Sequence, residues 1–136
     1  MTDQEQPTTD EQRRAAGMRT RRQVLGDAWV DRAVAATTPF TAGFQDFITR
    51  TAWGDVWQRP GLGRRERSLL TLAITIALRH WDEFALHVRA AKNNGLTDDE
   101  IAEVIQHAAV YAGVPAANHA FRVAAPILEE LRGTGS

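Results

Sequence analysis

Cysteine is absent from the 136 residues. That removes disulfide frameworks, thiolate metal sites, cysteine nucleophiles and dithiol redox chemistry together. An excess of charge is lacking too: 16 basic side chains stand against 17 acidic ones, a formal net charge of −1. Nucleic acid and anionic membrane surfaces both select basic proteins, so neither is expected as a partner. No apolar run approaches the ~20 residues of a membrane-spanning helix; the longest, Ser68 to Leu78, is much shorter. The opening MTDQEQPTTDEQ is polar and acidic, without the apolar segment of an export signal, so a soluble cytoplasmic protein is expected. Glycine-rich phosphate loops, the Gly-x-Ser-x-Gly elbow and the His-Glu-x-x-His pair are missing as well.

What is present is a globular composition, 43% hydrophobic and 24% charged, which can bury one core. Residues 1–9 are polar, contain Pro7 and read as a mobile tail; residues 10–136 read as a single domain. From Asp10 onward the apolar spacing is helical, and no strand alternation or hairpin dipeptide interrupts it, so the fold class is all-α with six to seven helices. Caps and breakers place the helices at about Glu11–Leu25, from a cap at Asp27, from Thr38-Pro39, Arg64–Leu78, Trp81–Asn94, from the Thr97/Glu100 capping box, and Ala116–Arg132. Residues 53–61 read as a loop, although two tryptophans in it suggest that it packs against something. Pro126 is expected to kink or break the last helix, and Tyr111 to point inward with Ile101, Val104, Ile105 and Ala108. The helix through residues 69–78 is apolar nearly all round, as at a domain centre or a subunit interface.

Chemistry gathers at His80, Glu83 and His87. If residues 80–87 are helical, the three share one face, and two imidazoles with a carboxylate can serve as general acid and base. The same set allows a two-histidine, one-carboxylate metal site, or simply a polar helix start. Phe84, Val88 and Ala91 draw His87 towards the apolar side. Arg67, at the first turn of an apolar helix, needs a carboxylate partner or an anionic ligand. His107 and His119 read as solvated, and Arg13, Arg14, Arg19, Arg21 and Arg22 as a solvated helix face rather than a nucleic-acid site.

Several segments, in order, resemble the carboxymuconolactone decarboxylase family: Trp57–Leu62, Arg65–Ala73, His87–Ala91, Gly95–Ile101 and Tyr111–Ala117. Gly17–Arg19, Val24–Asp27 and Val30–Ala33 resemble the decarboxylases that give the family its name. The resemblance implies the alkylhydroperoxidase D-like helical fold and a homo-oligomer, a trimer or hexamer. It also implies cofactor-independent decarboxylation of a lactone dicarboxylate, 4-carboxymuconolactone, to 3-oxoadipate enol-lactone in protocatechuate catabolism, with no metal. In the thiol peroxidases of the superfamily, the Cys pair would fall on His80 and Glu83, the Glu on Ser68 and the His on His87. Only the His is kept here. On this resemblance His80, Glu83 and His87 are the candidate catalytic residues, and Arg67, Trp57 and Trp81 the candidate substrate-binding residues. The alternatives are a decarboxylase of another unsaturated lactone or keto acid, a non-catalytic helical oligomer, and a helix-turn-helix regulator read from Gly95–Ile101.

Overall fold

A computed structural model describes residues 9–134, and among them there are seven α-helices, one π-helical segment and no strand. The all-α class holds. The chain divides after Gly63 into two compact units.

The N-terminal unit holds α1 (Asp10–Leu25), α2 (Asp27–Ala35), α3 (Ala42–Ile48) and a π-helical segment, Thr49–Val56. α1 starts at a capping box: the Gln12 amide donates to Thr9 Oγ1 at 3.1 Å and the Thr9 amide to Gln12 Oε1 at 3.2 Å. Thr9, expected in the tail, is therefore the N-cap, and residues 1–8 of that tail lie outside the described residues. Gly26, at φ 91°, both ends α1 and caps α2, so Asp27 is the first helical residue rather than the cap. The third helix begins later than Thr38-Pro39 suggests. There the Thr38 amide is taken by Thr41 Oγ1 at 3.0 Å, forming a turn that leaves Phe40 96% exposed.

Trp53 to Val56 are helical rather than looped. The hydroxyls of Thr49 and Thr51 donate to the carbonyls of Gln45 and Phe47 at 2.8 and 2.7 Å. They compete with backbone amides for the i−4 acceptors and loosen the α ladder into the wider π turn. The segment packs on α1. Contact there is backbone to backbone, because a Cβ on Gly17 would lie 2.0 Å from the Thr49 carbonyl oxygen and one on Gly54 2.4 Å from that of Arg13. Trp53 is buried, with the Trp57 ring 5.2 Å away.

The C-terminal unit holds α4 (Arg64–Ala77), α5 (Trp81–Asn93), α6 (Asp98–Ala112) and α7 (Val114–Thr134). Leu72 and Ile76 of α4, Phe84, Val88 and Ala91 of α5, and Ile101 and Ile105 of α6 close one core with the small residues Ala116, Ala117, Ala120 and Ala124 of α7. Leu70 and Ile74 on the opposite side of α4, and Leu78 just past its end, stand half-exposed. The capping box at α6 forms as expected, with the Glu100 amide 3.1 Å from Thr97 Oγ1 and the Thr97 amide 2.9 Å from Glu100 Oε1. Glu100 also pairs with Arg65 of α4, while Asp98 receives Lys92 at 2.7 Å and Arg132 at 2.6 Å.

One expectation fails in this unit, and of the kink or break expected at Pro126 the break does not occur. Tyr111 is 81% exposed and packs on His107, because it lies at the edge of the stripe drawn by Ile101, Ile105 and Ala108 and near the helix end. α7 starts at Val114 and runs through Pro126 to Thr134. Pro126 and Arg122, the residue whose carbonyl the proline leaves unbonded, are both exposed, so water can take that acceptor. Among the described residues no helix is long and apolar enough to cross a membrane.

The glycine contacts have opposite consequences at two positions. Gly17→Ala forces α1 off the π segment and should cost about 2–3 kcal/mol. Gly43→Ala, with nothing within 4 Å of the new Cβ, should gain about 0.5–1 kcal/mol from helix propensity. Urea unfolding of the two variants checks both signs.

Candidate active site

The turn between α4 and α5 positions the N-terminal end of the candidate site. The Arg79 amide bonds the Ile76 carbonyl at 3.1 Å and the His80 amide the Thr75 carbonyl at 2.9 Å, a Schellman closure. Its left-handed residue is Arg79, at φ 59°, where glycine is the unstrained choice. Strain is thus held next to a candidate catalytic residue, as is common at functional sites.

His80 is the N-cap of α5 rather than a residue of its first turn, and its carbonyl accepts the Phe84 amide at 2.9 Å. The shared face foreseen for three residues therefore holds strictly for two, Glu83 and His87, one helical turn apart. His80 and Glu83 are exposed, while His87 is buried at 7% exposure. Burial disfavours the imidazolium and pushes the His87 pKa from its ordinary 6.5 down to about 4. At neutral pH the ring is neutral, with one N–H donor and one bare nitrogen.

Trp81 opens α5 half-buried. Its ring stands edge-on to Phe84 at 5.8 Å and 90°, and tilts over the His119 ring of α7 at 4.3 Å. Arg67, half-buried, lies one residue before Ser68, which is fully buried and accepts a hydrogen bond from Asn94 Nδ2 at 2.8 Å. Asn94 is the C-cap of α5, so the start of α4 is tied to the end of α5 beside Arg67. Arg67, His80, Trp81, Glu83 and His87 thus belong to two adjacent, packed helices. Trp57 belongs to the N-terminal unit, against Trp53.

A separate groove of about 630 Å³ runs between α4 and α6, floored by Leu69, Ala73 and Val104 and rimmed by Arg65, Glu103 and His107. None of the expected site residues lines it. Among the described residues no three His, Asp or Glu side chains gather as a metal site would require.

Of the residues read from sequence as solvated, His119 is half-buried and Arg21 is buried. His119 packs on Trp81, which only the approach of α7 to α5 decides. Arg21 is 3% exposed. The rest of that arginine group is paired or open: Arg13 meets Asp10, Arg14 meets Asp46, Arg22 meets Asp27 and Asp31, and Arg19 is exposed. A periodicity argument would have flagged Arg21, which falls with Gly17, Val24 and Leu25 on the buried side of α1.

Residues 42–126 match the model of the carboxymuconolactone decarboxylase family. The chain belongs to that family. A 4-carboxymuconolactone decarboxylase of Acinetobacter baylyi is 47% identical over 122 residues, covering 90% of this chain and 91% of the relative. A nitrosuccinic acid decarboxylase, npaB, of Metarhizium robertsii is 46% identical over 119 residues, 88% of this chain and 83% of the relative. A 4-carboxymuconolactone decarboxylase of Pseudomonas putida is 52% identical over 46 residues, 34% of this chain and 96% of that sequence. The likeness to these family members is not confined to the C-terminal unit, since the first two alignments are too long to fit after residue 41.

The buried histidine makes a pH prediction. The unfolded chain takes up a proton at His87 near pH 6.5 and the folded chain only near 4, so stability should fall as pH drops from 6.5 to 4 and level off below. The loss amounts to about 3 kcal/mol. His87→Gln removes this dependence, which urea unfolding across that range measures. A His87 ring proton titrating near 6.5 by NMR would contradict the assignment.

Proposed function

We propose that this protein decarboxylates 4-carboxymuconolactone to 3-oxoadipate enol-lactone and CO2 without a cofactor. In this reading residues 10–136 are one catalytic domain, acting as a cytoplasmic homo-oligomer in protocatechuate catabolism. The observation that carries the reading is the 47% identity to a 4-carboxymuconolactone decarboxylase along nine-tenths of both chains. The half-exposed apolar stripe Leu70, Ile74 and Leu78 supports assembly into an oligomer.

The substrate carries its own electron sink. Its leaving carboxylate sits on the ring carbon bearing the lactone oxygen, and a C=C bond joins that carbon to the carbonyl. When the C–CO2 bond breaks, its electron pair moves through the alkene onto the carbonyl oxygen and gives a furan-like dienolate. Protonation of the carbon α to the carbonyl completes the product. The protein has to hold carboxylates, stabilise the oxyanion and deliver one proton.

Arg67 takes a substrate carboxylate. His87, neutral through burial, donates its N–H to the developing oxyanion, which a neutral imidazole does without losing the proton. The carbon receives its proton at the exposed mouth of α5, from His80 or Glu83. Trp81 supplies an apolar wall.

The similarity to a nitrosuccinic acid decarboxylase favours a second reading of the same machinery. Nitrosuccinic acid is also a dicarboxylic acid with a built-in sink, since the nitro group can accept the electron pair as a nitronate. The common requirement is a carboxylate clamp with a donor aimed at an oxygen that gains charge.

CO2 release from 4-carboxymuconolactone generated in situ, compared with nitrosuccinate, tests both. Rapid release from the lactone that a chelator leaves unchanged is expected; release that stops with chelator and returns with a divalent ion would restore a metal mechanism. His87→Gln should lower kcat about 10²-fold, and Arg67→Met should raise KM at least about 10-fold. A near-normal kcat in His87→Gln, or an unchanged KM in Arg67→Met, removes that residue from the mechanism.

A further inference from the structure

The N-terminal unit contains a buried cation whose surroundings supply no negative charge. Arg21 of α1 donates through Nη2 to Gln45 Oε1 of α3 at 3.1 Å, and its guanidinium lies 5.6 Å from the centroid of the Trp29 ring of α2. Its Nε is buried without a hydrogen-bond partner. Three helices therefore converge on one guanidinium and offer it a neutral amide and a neutral ring. Other arginines of α1 and the π segment meet aspartates: Arg13 with Asp10 at 2.5 Å, Arg14 and Arg50 with Asp46 at 2.5 and 2.8 Å, Arg22 with Asp31 at 2.8 Å. Burial, and after it the like charge of Arg22, press the Arg21 pKa downward.

A guanidinium is retained in a desolvated place when something bidentate and anionic completes it, since an apolar side chain of equal volume would otherwise be the more stable occupant. We propose that Arg21 is the carboxylate anchor of a small-molecule site at the junction of α1, α2 and α3. Its Nε and Nη donors form the fork, Gln45 fixes the plane of that fork, and the half-exposed Trp29 is the outer wall. The ligand class is a small organic acid. The inference needs only a carboxylate and stands whichever acid the enzyme decarboxylates; the lactone dicarboxylate and nitrosuccinate would each bring one.

Succinate, which has the carboxylates and no reactive centre, is the probe. In the full-length chain the Arg21 Nε–H resonance, identified by its loss in Arg21→Lys, should move saturably with millimolar succinate and stay in place with chloride at equal ionic strength. Arg21→Lys keeps the charge but not the fork and should weaken succinate binding at least about 10-fold. Arg21→Met provides the readout that a helix-clamping role would not share. Without succinate it should melt at or above the wild-type temperature, and it should lose the part of the succinate-induced rise in Tm that depends on Arg21. A resonance indifferent to succinate, or an Arg21→Met protein that melts lower and keeps the full succinate response, overturns the proposal in favour of a purely structural arginine. A resonance that moves with protein concentration but not with succinate overturns it as well, and assigns the carboxylate to a second copy of the chain. None of these results bears on CO2 release from the lactone, so failure here is separable from failure of the decarboxylase reading.

Discussion

The chemistry proposed for the C-terminal unit depends on the desolvation of α5 between α4 and α7. Phe84, Val88 and Ala91 are fully buried, and a helix that buries those three positions carries the residue before Val88 inward with it. His87 is therefore taken out of water by packing rather than by a partner charge, and desolvation is the cause that lowers its pKa. A ring that stays neutral at physiological pH cannot act there as a stored imidazolium. It can act as a fixed hydrogen-bond donor, which suits an oxyanion that appears and disappears within one turnover. The four alanines of α7 serve the same end, because small side chains let a helix approach α5 closely enough to seal it. That approach also brings His119 over Trp81.

The N-terminal unit is organised by a different constraint. Where α1 meets the π segment, Gly17 and Gly54 leave no room for side chains, so two backbones touch. Such contact is possible only if the facing turn presents its carbonyls at the right places, and the π segment does so with Thr49. This close seam helps explain why the residues between Thr49 and Val56 adopt a conformation that local propensity alone does not select. Arg21 sits one turn further along the same helix, among residues of α2 and α3.

Family membership joins these features to a type of reaction. Two relatives are named for decarboxylation of different acids, 4-carboxymuconolactone and nitrosuccinic acid, and the mechanism proposed above needs no external electron sink for either. A protein without cysteine is consistent with that economy. What such a site must supply is position and a few aimed dipoles, not redox chemistry.

Much of the architecture was legible because its signals are local. The Thr97/Glu100 box, the glycines at 26, 95 and 113, and the apolar stripes of α4 and α6 each act over one or two turns, so residue order alone placed those helices. The absence of cysteine and the segment likeness to one family were equally plain. Tertiary structure decided the rest. It drew the first four residues of the expected loop into a π segment through the α1 seam, left Tyr111 outside because the core ends before it, and carried α7 past Pro126 on an exposed side. It also separated the arginines of α1 into surface pairs and one buried cation, and placed His87 in the dry interior while leaving His80 and Glu83 in water. Residue types and caps act along the chain and can be read from it; desolvation and the company a charge keeps are set by helices distant in sequence, and only their packing settles them.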